Sequence, residues 1–145
     1  MLVQTPIYKY LALAGTLPFI LCTFVVNSPS SSMEMLEWSI MALHSYGLII
    51  VTFMCGTHWG LYLVTHQQCQ WNLLVISNLI TLACWFCYLS EHGTLIIASQ
   101  ICAFLALIFI DAQLHQHKIL NTDYFKTRGS ITAIVVLTLS INIII

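Results

Sequence analysis

Residues 36–64 read LEWSIMALHSYGLIIVTFMCGTHWGLYLV, an apolar stretch with a single acidic residue, Glu37, near its start and no proline. Roughly 20 apolar residues in helical conformation cross a hydrocarbon core of about 30 Å, so this stretch predicts a membrane-spanning helix with length to spare. At 100° per residue Thr52, Gly56 and Gly60 share one face, a row of small residues of the kind that lets helices approach closely in lipid. His58 lies almost opposite that row, with Tyr62 one turn after it, Cys55 three residues before it and His44 within about 40° of the same face. The strip His44, Cys55, His58 and Tyr62 is a polar seam about 27 Å long at 1.5 Å per residue. A helix with two faces that both avoid lipid is expected at the centre of a bundle.

Four further apolar stretches, at about 8–26, 72–89, 94–110 and 129–145, flank this one. The expected fold is an all-α integral membrane bundle of five transmembrane helices, one domain over residues 1–145. Asn27-Ser-Pro-Ser-Ser-Ser32, His66-Gln-Gln-Cys-Gln70 and Ser90-Glu-His-Gly93 read as short polar connectors. No span is expected to hold Asp, Glu or Arg in its interior, with Asp111 closing the fourth. Pro18 in mid-span predicts a kink beside Gly15, because proline removes a backbone donor.

The composition agrees. Of 145 residues 59% are apolar and 6% charged, against about 25% charged in a soluble domain, and the mean hydropathy is +0.91. This excludes a water-soluble globule. Four Lys and Arg in all also exclude nucleic-acid binding, which needs a basic patch. With five alternating spans Lys9, Lys118, Lys126 and Arg128 fall on one side, and Glu34, Glu37 and Glu91 on the other. Basic residues stay inside, so the N-terminus is expected in the cytoplasm or matrix and the C-terminus outside. The first span is read as retained, since no clear small-x-small cleavage site follows it. Cys22, Cys55, Cys84, Cys87 and Cys102 lie within spans and Cys69 in an inner loop, so no disulfide framework is expected. Cys84-x-x-Cys87 reads as a packing pair.

The Thr52, Gly56 and Gly60 row is expected to pack against Ala98, Cys102 and Ala106 of the fourth span, with Ser99 and Ala103 on an adjoining row. An ionisable side chain within a span is a candidate functional group, and here it is His58, flanked by Trp59 and followed by Tyr62. Its readings are a hydrogen-bonded packing histidine, a haem or metal ligand, a quinone partner or a proton relay. A haem would need a second ligand, for which His92, His115 and His117 qualify only by depth. His66, Cys69, His115 and His117 offer metal-type donors without any compact motif, and neither metal nor cofactor is expected. Near the inner boundary Tyr124, Phe125, Lys126 and Arg128 read as interface anchors, and an Asp111 to Arg128 ion pair would fix the loop.

Several pieces together carry a resemblance: Leu13-Ala-Gly-Thr-Leu-Pro-Phe19, Phe53-Met-Cys-Gly-Thr-His-Trp-Gly60, Trp85, Asp111, Tyr124-Phe-Lys-Thr-Arg128 and Thr132. In this order over the whole chain they resemble the transmembrane protein 69-like family, also called domain of unknown function 3429. Gly56 to Gly60 is the most specific piece. The chain departs from the pattern at Cys55 for glycine, at Ala112 for the arginine after Asp111, and at Gly129-Ser130 for an apolar-proline step. The resemblance implies fold and membrane location without an activity, and it singles out His58, Trp59, Asp111 and Arg128.

No phosphate loop, nucleophile elbow, H-E-x-x-H or pair of intramembrane carboxylates is present. The expected function is that of a small non-enzymatic protein of a bacterial or mitochondrial inner membrane. It would be an accessory, assembly or stabilising partner of a larger complex, with respiratory complexes among the candidates. Its expected contacts are the lipid bilayer and other membrane subunits. The alternatives are a quinone- or haem-binding redox helper centred on His58 and a small transporter or proton relay.

Overall fold

The computed structural model describes residues 7–65 and 72–143. The helices run in the order α1 (Ile7–Ala14), α2 (Leu17–Val26), α3 (Met33–Thr65), α4 (Leu73–Leu89), α5 (Gly93–Gln116) and α6 (Thr122–Ile143), with no strand among the described residues. Three stretches are long and apolar enough to cross a membrane: Ile7–Val26, Met33–Thr65 and Gly93–Gln116. The apolar α4 is shorter, at 17 residues, and α6 opens with Asp123, Lys126 and Arg128.

The helix α3 owes its length to a sequence without proline, and one stripe of it is buried: Ser39, Leu43, His44, Gly47, Val51, Cys55 and His58. Steps of three and four residues keep such a stripe on one side of a helix. It packs against α2, α4 and α5, while α6 closes on α5 and α2. Phe19 sits at the centre, edge-to-face with Tyr46 at 5.2 Å and with Phe104 at 6.3 Å between ring centroids. Leu43, Val51, Leu107, Val135 and Leu139 complete this core.

The distribution of polarity inverts that of a soluble protein. Phe24, Trp38, Phe53, Val64, Leu79, Phe86 and Leu137 lie on the surface, whereas His44, His58, Ser77, Gln100, Asp111 and Arg128 are buried. Polar groups turned inward need partners there. Gln100 of α5 donates from Nε2 to the His44 carbonyl of α3 at 2.7 Å, and Asn142 of α6 donates to Thr23 Oγ1 of α2 at 2.8 Å.

The kink expected at Pro18 is a full break. Helix α1 ends at Ala14, Gly15 and Thr16 form a turn, and Pro18 stands in the first turn of α2, where a backbone donor is not required. The Gly15 carbonyl so released accepts from the Tyr46 hydroxyl of α3 at 3.0 Å.

Other expectations are corrected. The second expected span corresponds to α3, which begins at Met33 rather than 36, and the fourth to α5, which continues to Gln116, so Asp111 lies inside that helix instead of closing it. The last helix starts at Thr122, not 129, because Asn121 Oδ1 accepts from the Asp123 N–H at 3.0 Å and caps it. Arg128 therefore lies within a helix. The Thr52, Gly56 and Gly60 row does not meet α5: all three are exposed, and a Cβ added at Gly56 or Gly60 would touch nothing within 4 Å. Across from it Cys102 is exposed and Ala98 and Ala106 only half-buried, while Ala103 of the adjoining row faces the core. The face carrying His58 occupies the interior, since an ionisable group gains more from leaving lipid than small residues do.

The glycine that permits close contact between α3 and α5 is Gly47, where an added Cβ would fall on the Gln100 amide. Gly47→Ala should lower stability by about 1–3 kcal/mol through overpacking, read by thermal unfolding in detergent. Gly56→Ala, with open space around it, should be neutral or gain up to about 1 kcal/mol from helix propensity.

Candidate functional site

Three inward stripes converge near the end of the bundle where α3 and α5 finish and α6 begins. Each contributes one ionisable side chain: His58 at 2% exposure, Asp111 at 1% and Arg128 at 6%. The carboxylate of Asp111 joins them. Its Oδ1 lies 2.8 Å from His58 Nε2, and its Oδ2 accepts from Arg128 Nε at 2.9 Å, with Nη2 2.9 Å away in the same ion pair. An ionised carboxylate only accepts, so the proton of the short imidazole contact resides on Nε2. Asp111 thereby fixes both the tautomer and the orientation of the ring, as a carboxylate does in histidine–carboxylate pairs generally.

Arg128 is held on its other side as well. Nη1 donates to Met54 Sδ at 3.0 Å and Thr57 Oγ1 at 3.2 Å, both on α3, and reaches the Tyr124 hydroxyl at 3.4 Å. Tyr124 precedes Arg128 by one helical turn, and the guanidinium carbon stands 5.7 Å from its ring centroid. Positive and negative charge thus balance within the cluster.

Beside the cluster a cleft of about 410 Å³ opens between α3, α5 and the connector to α6, and His58, Asp111, Thr57 and Tyr124 are among its lining residues. The connector makes its rim. After Gln116 the chain closes α5 with N–H bonds from Lys118 to the His115 carbonyl at 2.9 Å and from Ile119 to the Leu114 carbonyl at 2.9 Å. Lys118 takes φ 60°, the left-handed position that ends such a helix. The turn folds Ile119, Leu120 and Asn121 back along the cleft. Leu61, Tyr62, Ile119 and Leu120 pack on Leu73, Ile110 and Leu114.

The remaining candidates separate. Cys55 and His44 of the seam are buried with His58, Tyr62 is half-buried, and Trp59 is 41% exposed on the outer surface. His44 lies toward the opposite end, its ring against Gly93. His115 serves the connector: Nδ1 donates to the Leu120 carbonyl at 3.0 Å, and the ring stacks on Phe125 at 4.9 Å. His117 is exposed, while His66 and Cys69 lie outside the described residues. Among the described residues no group of three metal-type donors comes together, and Cys22, Cys55, Cys84, Cys87 and Cys102 are free thiols. Arg128 is a buried ion-pair partner and not the boundary anchor its position in the sequence predicts. Met54 and Thr57 join this site without having been candidates in the sequence; Met54 lies one turn before His58 and Thr57 directly precedes it.

Removing one partner of a buried, hydrogen-bonded pair strands the other charge, at a cost of about 3–5 kcal/mol. Arg128→Met should lose that much in detergent unfolding. The double change Asp111→Leu with Arg128→Met should be more stable than Arg128→Met alone, because no buried charge is left over.

No curated protein and no solved structure shows significant similarity to the chain. A family profile does: that of the family described as protein of unknown function (DUF3429) matches residues 4–144. The arginine that the family resemblance puts after Asp111 is Ala112 in this sequence, and the cation paired with Asp111 is Arg128. With a match over nearly its whole length, the chain belongs to the DUF3429 family.

Proposed function

We propose that the protein is a small, non-enzymatic membrane protein that holds a small polar-headed molecule in the cleft beside His58. The observation that carries this reading is that His58 and Asp111, each almost fully buried, stand directly behind the wall of an open cleft. An intramembrane ionisable group at a cavity is a functional site by default. The proposed topology has five spans, with α1 and α2 together forming one broken span. It puts the cleft on the cytoplasmic or matrix side, in keeping with Lys9, Lys118, Lys126 and Arg128 at that end. A quinone-type molecule suits the cleft better than a haem. His58 Nε2 is engaged by Asp111, and His115 is turned to Leu120 and Phe125.

A second reading has its own support. The Thr52, Gly56 and Gly60 row faces outward with open space before both glycines, a face suited to close packing of a helix from another subunit. This favours an accessory or stabilising partner of a larger inner-membrane complex. The two roles are compatible.

The test is an organic extract of the protein purified in mild detergent, analysed by mass spectrometry beside that of Gly60→Trp. Gly60 lines the cleft at its exposed edge and an added Cβ there meets nothing, so the variant adds bulk at the mouth of the cleft without disturbing the core. The expected result is one small molecule enriched with the wild type and reduced about tenfold in the variant, a difference of about 1.4 kcal/mol in binding. Identical bulk lipid in both extracts would remove the ligand reading. For the second reading, Thr52→Leu with Gly56→Leu should lose co-purifying membrane subunits; the same subunits retained on both proteins would count against it.

A further inference from the structure

We infer that the cleft selects a neutral head group that donates a hydroxyl, carried on an apolar body, and that it rejects anions. This rests on the binding role proposed above and narrows it to a chemical class.

Asp111 accepts on both oxygens, from His58 on Oδ1 and from Arg128 on Oδ2. Arg128 directs Nε and Nη2 to Asp111, and Nη1 to Met54, Thr57 and Tyr124. The one guanidinium is therefore matched by the one carboxylate, with its donors turned to protein. A phosphate or carboxylate entering the cleft finds no unmatched cation among the lining residues and approaches Asp111, which lines the wall. With Arg128 already matched, no net positive charge remains in the wall to offset the cost of removing an anion from water.

His58 is the exception to this saturation. Its Nε2–H is held by Asp111, so in the neutral imidazole Nδ1 is a lone pair. Nδ1 is buried and has no hydrogen-bond partner among the described residues, on a ring that lines the cleft and is 2% exposed. A buried acceptor left unpaired is costly, and a group that donates to it recovers that cost. The donor that fits without bringing charge is a hydroxyl. Tyr124 adds the complementary function: its oxygen accepts from Arg128, which leaves its own O–H to donate to a second oxygen of the same head group. Leu61, Ile119 and Leu120 form apolar walls for the ring or chain behind that head group. Two sources offer this chemistry, a reduced quinol ring and a glyceride alcohol.

The full-length protein, labelled with nitrogen-15 in histidine and held in phosphatidylcholine nanodiscs, can be titrated with four probes: decylubiquinol, decylubiquinone, monooleoylglycerol and decyl phosphate. Acceptance of a hydrogen bond shifts the resonance of a lone-pair imidazole nitrogen, so His58 Nδ1 reports occupancy directly. The expected result is a saturable shift with decylubiquinol or monooleoylglycerol, whichever responds naming the source. Decylubiquinone, which differs from its partner by lacking the hydroxyls, and decyl phosphate should bind at least about tenfold more weakly. Gly60→Trp, which leaves the ion cluster intact, should abolish the shift; a shift unchanged in that variant overturns the inference. Equal or tighter binding of the quinone or of decyl phosphate overturns the hydroxyl class while leaving the cleft a binding site. If no probe moves the resonance the inference also fails, and the extraction experiment then decides separately whether the cleft binds anything.

Discussion

One carboxylate, Asp111, is the joint on which the bundle is assembled. It accepts from His58 of α3 through one oxygen and from Arg128 of α6 through the other, while belonging itself to α5. Placing these groups out of water is costly, and their mutual attraction compensates only when geometry is good and every remaining donor is satisfied. Distances of 2.8 to 2.9 Å and the further partners of Arg128 meet that condition. The inward direction of three helix stripes follows from it. Small residues that would serve well for packing are displaced to the outside by the need to enclose this cluster.

The cluster is enclosed unevenly, and function enters through that asymmetry. Around the Arg128 guanidinium it is closed by Met54 and Thr57 of α3 and Tyr124 of α6; beside His58 and Asp111, toward the α5–α6 connector, it borders a cleft. The imidazole shares this division, with one nitrogen committed to the ion pair and the other without a partner among the described residues. A histidine with only a packing role would gain by having both nitrogens satisfied.

Much of this was legible in sequence where the information is local. The length of α3 and the inward seam through His44, Cys55 and His58 follow from helical period and the absence of proline. The ion pair between Asp111 and Arg128 follows from opposite charges on either side of one connector. The ends of helices were less legible. Apolar stretches stop at Asp111 and begin again after Arg128, yet both residues are helical, because a charge with a buried partner does not end a helix as an unpaired one would. The packing of Gly56 and Gly60 was misread for a related reason: a row of small residues says that close approach is possible, not which neighbour arrives. The joining of His58 to Asp111 spans 53 residues, and the cleft depends on Lys118 taking a left-handed conformation that lysine does not advertise.

The pairing of Arg128 with Asp111 also bears on how such a chain is made. In the membrane setting proposed above, α6 entering a bilayer alone would carry an uncompensated guanidinium about two turns from its start, a penalty of up to about 3 kcal/mol at mid-depth and less near the surface. The partner lies 17 residues earlier, across a tight connector between Gln116 and Thr122. The two helices can neutralise one another as a hairpin before the rest of the bundle closes on them. The same residues that shape the finished cleft would then set the order of biogenesis, with α5 and α6 integrating as a unit and α3 bringing His58 to a pair already formed.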